Sequence, residues 1–350
     1  MSDGVPVDAG GWSEDTGGLP GGASGVFKDA SGLFEDAVGL PAEVAGWFAR
    51  RTWQPVPWSA AELVEAKRGR TVSVVLPALN EEGTVAGVVS AVRAAGELVD
   101  EVVVMDGGCT DRTAERAVAA GARVVRLDEA LPGLAPRPGK GEVLWRSLAA
   151  TRGDLIVFVD ADLVEVGPEV VVGLVGPLLT EPGVQLVKGF YRRPLRMATT
   201  EHRSGGGRVT ELMARPLLAR FAPQLSGVVQ PLGGEYAARR DLLARLPFAG
   251  GYGVEIALLM DTFRLAGLDA IGQVDLGVRK HRNRDLADLG VMASEILAVV
   301  LDRAGVDPGP RPVDLVQFAE GEPAGSGWFP VVRRVERTGR GPMRDTLTSR

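Results

Sequence analysis

The sequence predicts an α/β fold with a mostly parallel central sheet flanked by helices and a helical C-terminal part. Three observations carry this. From Thr71 onward short apolar runs alternate with segments of helical period, turn residues mark each change, and polar residues gather where the apolar runs end. With 350 residues, 45% of them hydrophobic, the chain has the apolar material for a full core.

Residues 1–45 are rich in Gly and Asp, and Thr16-Gly17-Gly18-Leu19-Pro20-Gly21-Gly22 suits no helix or strand interior, so a flexible extension is expected there. Inside it, Ser24–Ala30 and Ser31–Ala37 form a near repeat of helical period. Its apolar side chains are expected to dock on the chain's own domain or on a second subunit. The first regular unit is a strand at Val72–Leu76 followed by a helix, since Val85, Val88, Val89 and Val92 recur on one helical face. Next come a strand at Glu101–Met105, a helix ending before Gly121, a strand at Arg123–Leu127, a helix at Glu142–Thr151 and a strand at Leu155–Val159. Right-handed crossovers bring the ends of these strands to one edge of the sheet, the edge at which open α/β sheets bind ligands.

After Phe190 the regularity breaks. A basic stretch, Tyr191–Arg208, leads into a helix at Val209–Arg220, and a second helix covers Val254–Leu265. Arg192, Arg193, Arg196 and Arg203 read as solvated loop charges. Strands at Ala270–Val274 and Gly277–Lys280 precede a long helix, Leu286–Arg303. Residues 306–350, rich in Pro, Gly and Arg, read as an extended tail.

The net charge of −6 gives no reason to bind a polyanion, so nucleic acid is not expected as a partner. A single cysteine, Cys109, allows no internal disulfide and no cysteine cage for zinc, as in a reducing compartment. No apolar run has the length of a membrane span, and Ser2-Asp3-Gly4 does not open a signal peptide. A cytoplasmic protein with no membrane partner is expected.

Three strand ends carry polar residues. Asp160-Ala161-Asp162 follows the strand Leu155–Val159, so two carboxylates two positions apart stand where the chain leaves the sheet. Either they cap the turn, or they share Mg2+ or Mn2+, which takes one or two carboxylates and completes its shell with phosphate and water. Pro77-Ala78-Leu79-Asn80-Glu81-Glu82 follows the first strand, and Asp106-Gly107-Gly108-Cys109-Thr110-Asp111 the second. Asp106 suits the hydroxyls or base of a nucleotide, the glycines allow close backbone approach, and Thr110 is expected to cap the next helix. Lys140 lies between two glycines at a helix start, where a cation and free N–H groups both suit an anion.

These three strand ends resemble the donor half of GT-A glycosyltransferases. Downstream, Gly205-Gly206-Gly207-Arg208-Val209-Thr210-Glu211, Gln230-Pro231-Leu232-Gly233-Gly234-Glu235-Tyr236, Gly251-Tyr252-Gly253-Val254-Glu255 and Arg279-Lys280-His281-Arg282-Asn283-Arg284 are similar to the retaining glucosyl-3-phosphoglycerate synthases. The likeness runs in order from about Trp53 to Arg303. It implies one GT-A type domain, with residues 46–190 as the nucleotide-sugar half and 191–305 as the acceptor half. It implies a metal on Asp162 and His281, with Asp160, Asp162, Lys140 and Glu255 as the catalytic set. Pro77, Leu79, Glu81, Asp106, Gly107, Lys140, Asp160 and Ala161 would hold the donor, and Glu255 the glucose hydroxyls. The implied acceptor, 3-phosphoglycerate, would meet Arg208, Val209, Thr210, Tyr252, Arg279 and Asn283.

The reaction so implied is retaining transfer of glucose from UDP-glucose, or GDP-glucose, to the acceptor's 2-hydroxyl, with the leaving diphosphate helping to take the acceptor proton. A homodimer is expected. Mannosyl transfer to the same acceptor, transfer to a lipid phosphate, and a non-catalytic nucleotide-sugar sensor are the competing readings. Absence of a membrane segment counts against the lipid, and intact Asp160, Asp162, Lys140 and His281 count against the sensor. The resemblance departs at one turn: small hydroxyl residues usually follow the position of Asp106, where this chain has Gly107-Gly108-Cys109. Donor affinity and base choice stay open there.

Overall fold

The computed structural model describes residues 39–192, 195–197, 200–202, 207–278, 285–310, 312–320, 327–336 and 338–348, the side chains of 195–197 and 200–202 excepted. From Leu40 onward they belong to one unit. Its frame is an eight-stranded sheet: β1 (Thr52–Trp53), β2 (Val72–Ala78), β3 (Glu101–Asp106), β4 (Arg123–Arg126), β5 (Leu155–Phe158), β6 (Leu186–Arg192), β7 (Tyr236–Arg239) and β8 (Ile271–Val278), in the spatial order β1-β8-β6-β7-β5-β2-β3-β4. Neighbours pair in parallel except at β7, which lies antiparallel to both β5 and β6.

The pleat explains why the strands are apolar on both sides. Along β2, Val72, Val74, Leu76 and Ala78 point into one core and Val75 into the other. Helices Ala60–Lys67, Val85–Arg93, Thr113–Ala119 and Glu169–Thr180 cover the first face. Helices Ala42–Arg51, Lys140–Ala150, Val254–Ala266 and Leu286–Arg303 cover the second. Among the described residues no helix is long and apolar enough to cross a membrane.

Several expectations are corrected. The boundary at residue 45 falls inside the helix Ala42–Arg51, where Val44 and Trp47 are buried and the Trp47 indole donates to Ile271 O at 2.9 Å. Burial of a large apolar side chain contributes about 1.5–3 kcal/mol, enough to order the end of a Gly-rich segment. Residues 1–38 lie outside the description. β4 ends at Arg126, because Leu127 opens a short helix, Leu127–Ala130. The two strands expected between Ala270 and Lys280 are one strand, β8, whose register shifts between Asp275 and Val278. There Gly277 takes φ +82° and donates to the Asp275 carboxylate at 2.8 Å, so it kinks the strand rather than ending it.

The helix expected at Val209–Arg220 widens into a π-helical turn, Thr210–Ala214, before the α-helix Arg215–Phe221. Pro216 lacks the N–H that an α-turn would direct at Leu212, which accounts for the widening. The segment read as an extended tail also departs from expectation. Val313–Glu320 pairs antiparallel with Trp328–Val335, Gly339–Arg340 with Phe248–Ala249, and Met343 is buried at the start of a helix, Met343–Thr348. These strands escape the sequence because their apolar residues do not alternate and most of them stay exposed.

Candidate active site

In-register pairing sets Ala78 at the end of β2 beside Asp106 at the end of β3, and Val159 N donates to Val75 O at 3.1 Å, so β5 ends alongside them. Gly107 N donates to Ala78 O at 2.9 Å, and a Cβ at Gly107 would stand 3.0 Å from that oxygen, a tight contact that the glycine avoids. Asp106 Oδ1 accepts from Gly108 N at 2.9 Å and Cys109 N at 2.7 Å. Asn80, at φ +58°, turns its Oδ1 to Thr110 N at 2.8 Å and so ties the two loops together. Thr110 therefore does not cap the next helix. That helix begins at Thr113, whose N–H donates to Asp111 Oδ1 at 3.0 Å.

Cys109, the residue of the Gly107-Gly108-Cys109 turn with a side chain able to bond, is held between the two loops. Its sulfur accepts from Asn80 N at 3.4 Å and donates to Ala78 O at 3.5 Å, and burial pushes the thiol above its ordinary value. The side chain thus braces the loops. Leu79 is exposed, Pro77 and Glu81 are half-buried, and Glu81 N donates to Thr113 Oγ1 at 2.8 Å.

Lys140 is the centre of the arrangement. Gly139 takes φ +103°, and a Cβ there would stand 2.8 Å from Gly251 N; one at Gly141 would collide with Ala249 O. The two glycines therefore let the Lys140 turn lie backbone to backbone against Ala249–Gly251. Lys140 Nζ then reaches Asp160 Oδ1 at 2.7 Å and Glu255 Oε1 at 2.9 Å. Side-chain exposures are 20% for Lys140, 25% for Asp160 and 4% for Glu255, so the cluster opens to solvent on the lysine and aspartate side. Burial opposes the ammonium, but Asp160 and Glu255 outweigh it and hold Lys140 well above its ordinary 10.5. The lysine is a fixed cation.

Behind this cluster lie residues that carried no role in the sequence. Lys188, in the middle of β6, is buried, donates to Gly233 O and sits 4.7 Å from the Tyr236 ring centroid. Burial lowers it to about 8, although Glu255 and the fully buried Glu235 oppose the fall. A Cβ at Gly234 would collide with the Asp160 carboxylate, so the Gly233-Gly234 turn that Lys188 holds is also the wall behind Asp160. A charged residue inside the apolar run Leu186-Val187-Lys188-Gly189-Phe190 was the available signal. Glu295, on the helix Leu286–Arg303, accepts from Tyr252 N at 2.6 Å and was also unforeseen. Burial raises its carboxyl.

The structure brings Lys140, Asp160 and Glu255 into contact and joins the Asp106 and Pro77–Glu82 turns. Ala161 is buried beneath Asp160, and Asp162 is half-buried next to it. Val209 and Thr210 are buried and Arg208 half-buried at the first turn of a helix whose preceding Gly207 takes φ +85°. Arg279, His281 and Asn283 lie outside the described residues. Among the described residues no three of His, Cys, Asp or Glu stand together as a metal cage. Of the two implied metal ligands Asp162 is described, and its carboxylate oxygens suit a hard divalent cation whose shell phosphate and water complete.

Residues 73–221 match glycosyl transferase family 2. The chain is 56% identical over 300 residues to glucosyl-3-phosphoglycerate synthase of Mycolicibacterium smegmatis, spanning 85% of this chain and 97% of that one. A crystal structure of glucosyl-3-phosphoglycerate synthase from Mycobacterium tuberculosis in complex with Mn2+, UDP-glucose and phosphoglyceric acid superposes with a TM-score of 0.75 at 52% identity, over 84% of this chain and 98% of that chain. A crystal structure of the same enzyme with Mg2+ and UDP gives 0.77 at 52% identity, over 85% and 99%.

Proposed function

Since the chain belongs to the glucosyl-3-phosphoglycerate synthases, we propose that it transfers glucose from UDP-glucose to the 2-hydroxyl of 3-phosphoglycerate with retention at the anomeric carbon. The observation that carries this reading is Lys140 Nζ bridging Asp160 and Glu255 at the ligand edge of the sheet. A fixed cation there faces the leaving diphosphate, and Glu255 is held to accept from glucose hydroxyls. The turns at Pro77, Leu79 and Glu81 and at Asp106 and Gly107, with Asp160 and Ala161, would embrace the nucleotide.

The complexes of the relative with Mn2+ and Mg2+ support the same cofactor here, with Asp162 and His281 as protein ligands. Such an ion neutralises charge on a departing diphosphate. The acceptor hydroxyl attacks the face from which that group leaves, and its proton passes to the departing oxygen. The acceptor's phosphate and carboxylate fall to Arg208, Val209 and Thr210 at the helix start, which Asn283 would join, and Tyr252 and Arg279 would line the same cavity. We place the enzyme in the cytoplasm as a homodimer; Phe318, Trp328 and Phe329, left exposed on the hairpin, support a second copy as partner.

Purified protein given 3-phosphoglycerate, Mg2+ and a panel of nucleotide sugars should consume UDP-glucose fastest and give an α-linked product, read from the anomeric proton coupling. A β-linked product rejects retention, and preference for a mannose donor rejects the sugar. Arg208→Ala should raise the KM for 3-phosphoglycerate about tenfold, the worth of one charge-assisted contact, with the donor KM steady. A rise in the donor KM instead would mean that the two half-sites are interchanged.

A further inference from the structure

The glycines around Lys140 let its turn approach Ala249–Gly251, and the C-terminal segment adds contacts to both stretches. Gly339 and Arg340 pair antiparallel with Ala249 and Phe248, and Gly250 N donates to Thr338 O at 2.7 Å. On its other side Arg340 forks onto Glu142, Nε to Oε2 at 2.8 Å and Nη2 to Oε1 at 2.9 Å. Nη2 also donates to Ala135 O at 2.8 Å. The guanidinium lies 5.2 Å from the Trp145 ring centroid, and the Trp145 indole donates to Gly341 O at 2.9 Å. The Arg340 and Glu142 side chains keep exposures of 10% and 2%.

Glu142 lies in the first turn of the helix that Lys140 opens, and Phe248–Gly250 runs directly into the turn before Glu255. One short segment therefore grips both stretches of chain whose side chains meet in the Lys140–Glu255 ion pair. We propose that Arg340 is a positioning residue for sugar transfer, clamping the Lys140 helix to the Phe248–Ala249 strand and so fixing where Lys140 meets Glu255. This rests on the assignment of Lys140 to the diphosphate and Glu255 to the glucose. A lysine cannot replace the fork, because a point charge offers neither the paired donors nor the planar face that lies over Trp145. Displacements of about 1 Å at a reacting centre cost on the order of a hundredfold, so loosening the clamp acts on chemistry as well as on folding.

The test compares Arg340→Met and Arg340→Lys with Lys67→Met, which breaks the ion pair of the buried Lys67 to the exposed Asp100 (2.7 Å) at the end of a helix on the opposite face of the sheet. Calorimetry gives the Kd for UDP with Mg2+, steady-state assays give kcat, and melting gives Tm. Arg340→Met should weaken UDP and lower kcat by about tenfold each, with Arg340→Lys intermediate. Lys67→Met should lose Tm without either change. Wild-type Kd and kcat in folded Arg340→Met would overturn the proposal, as would equal losses in Lys67→Met at equal Tm. If Arg340→Met does not fold, Arg340→Lys decides, and wild-type affinity and turnover in it refute the clamp. A native enzyme that binds UDP but transfers no glucose would sink the proposed function, while the Kd comparison still judges Arg340.

Discussion

Replacing Lys140 with methionine should lower kcat by about 10²–10³-fold in a protein that still folds. The ammonium serves two ends at once: it meets Asp160 Oδ1 at 2.7 Å and Glu255 Oε1 at 2.9 Å, and it faces the side on which the diphosphate would leave. Methionine keeps the length of the side chain and removes the charge, so two carboxylates lose their shared cation and the transition state loses a preorganised one. Breaking such a largely buried cluster costs about 3 kcal/mol of stability, measurable by urea unfolding. The sign with pH is defined. A lysine held above 10.5 contributes stability that is fully present below that pH and fades only as pH rises through its folded value. The part of the stability gap that Lys140 itself contributes should therefore be flat from about pH 7 to 9, and any slope there comes from Lys188, near 8, which is freed of Lys140's repulsion in the variant. Native turnover in a folded Lys140→Met protein would remove Lys140 from the chemistry.

Asp162→Ala should abolish metal-dependent binding of UDP and reduce turnover about a thousandfold, the scale of a lost divalent cation at a developing anion. Unlike Lys140, Asp162 is half-buried outside the Lys140–Glu255 contact, and Tm should shift by only a few degrees. Titrating Mn2+ into the variant in the presence of UDP separates the two possible roles. Loss of both metal and UDP affinity supports a ligand. Unchanged Mn2+ affinity with lost turnover would make Asp162 a contact to the sugar and move the metal elsewhere.

The first half of the fold is legible because β2, β3 and β5 are apolar on both faces and each ends in a polar turn. The same turns expose Asp106, Asp160 and Lys140 to inspection, since strand ends and Gly-flanked helix starts are local features. β7 is different. Tyr236–Arg239 is short, ends in a charge and runs against its neighbours, so no local period marks it. Lys188 reads as an interruption of an apolar strand until the Tyr236 ring and Gly233 carbonyl are set around it in space. The tail escapes for a related reason: Arg340 draws its meaning from Glu142 and Trp145, far away in the chain.

The position of β7 also bears on how the molecule is made. During synthesis β2, β3, β4 and β5 emerge with their crossover helices and have local partners, whereas β7 must enter between β5 and a β6 that precedes it by some fifty residues. Closing the middle of the sheet is thus a late, long-range step, and such steps are slow. Glu235 and the Gly233-Gly234 turn arrive with it, and Glu255 only afterwards. A nascent chain can therefore form the β2–β5 frame before any working site exists, because Glu255 and then the Arg340 segment reach the site only later.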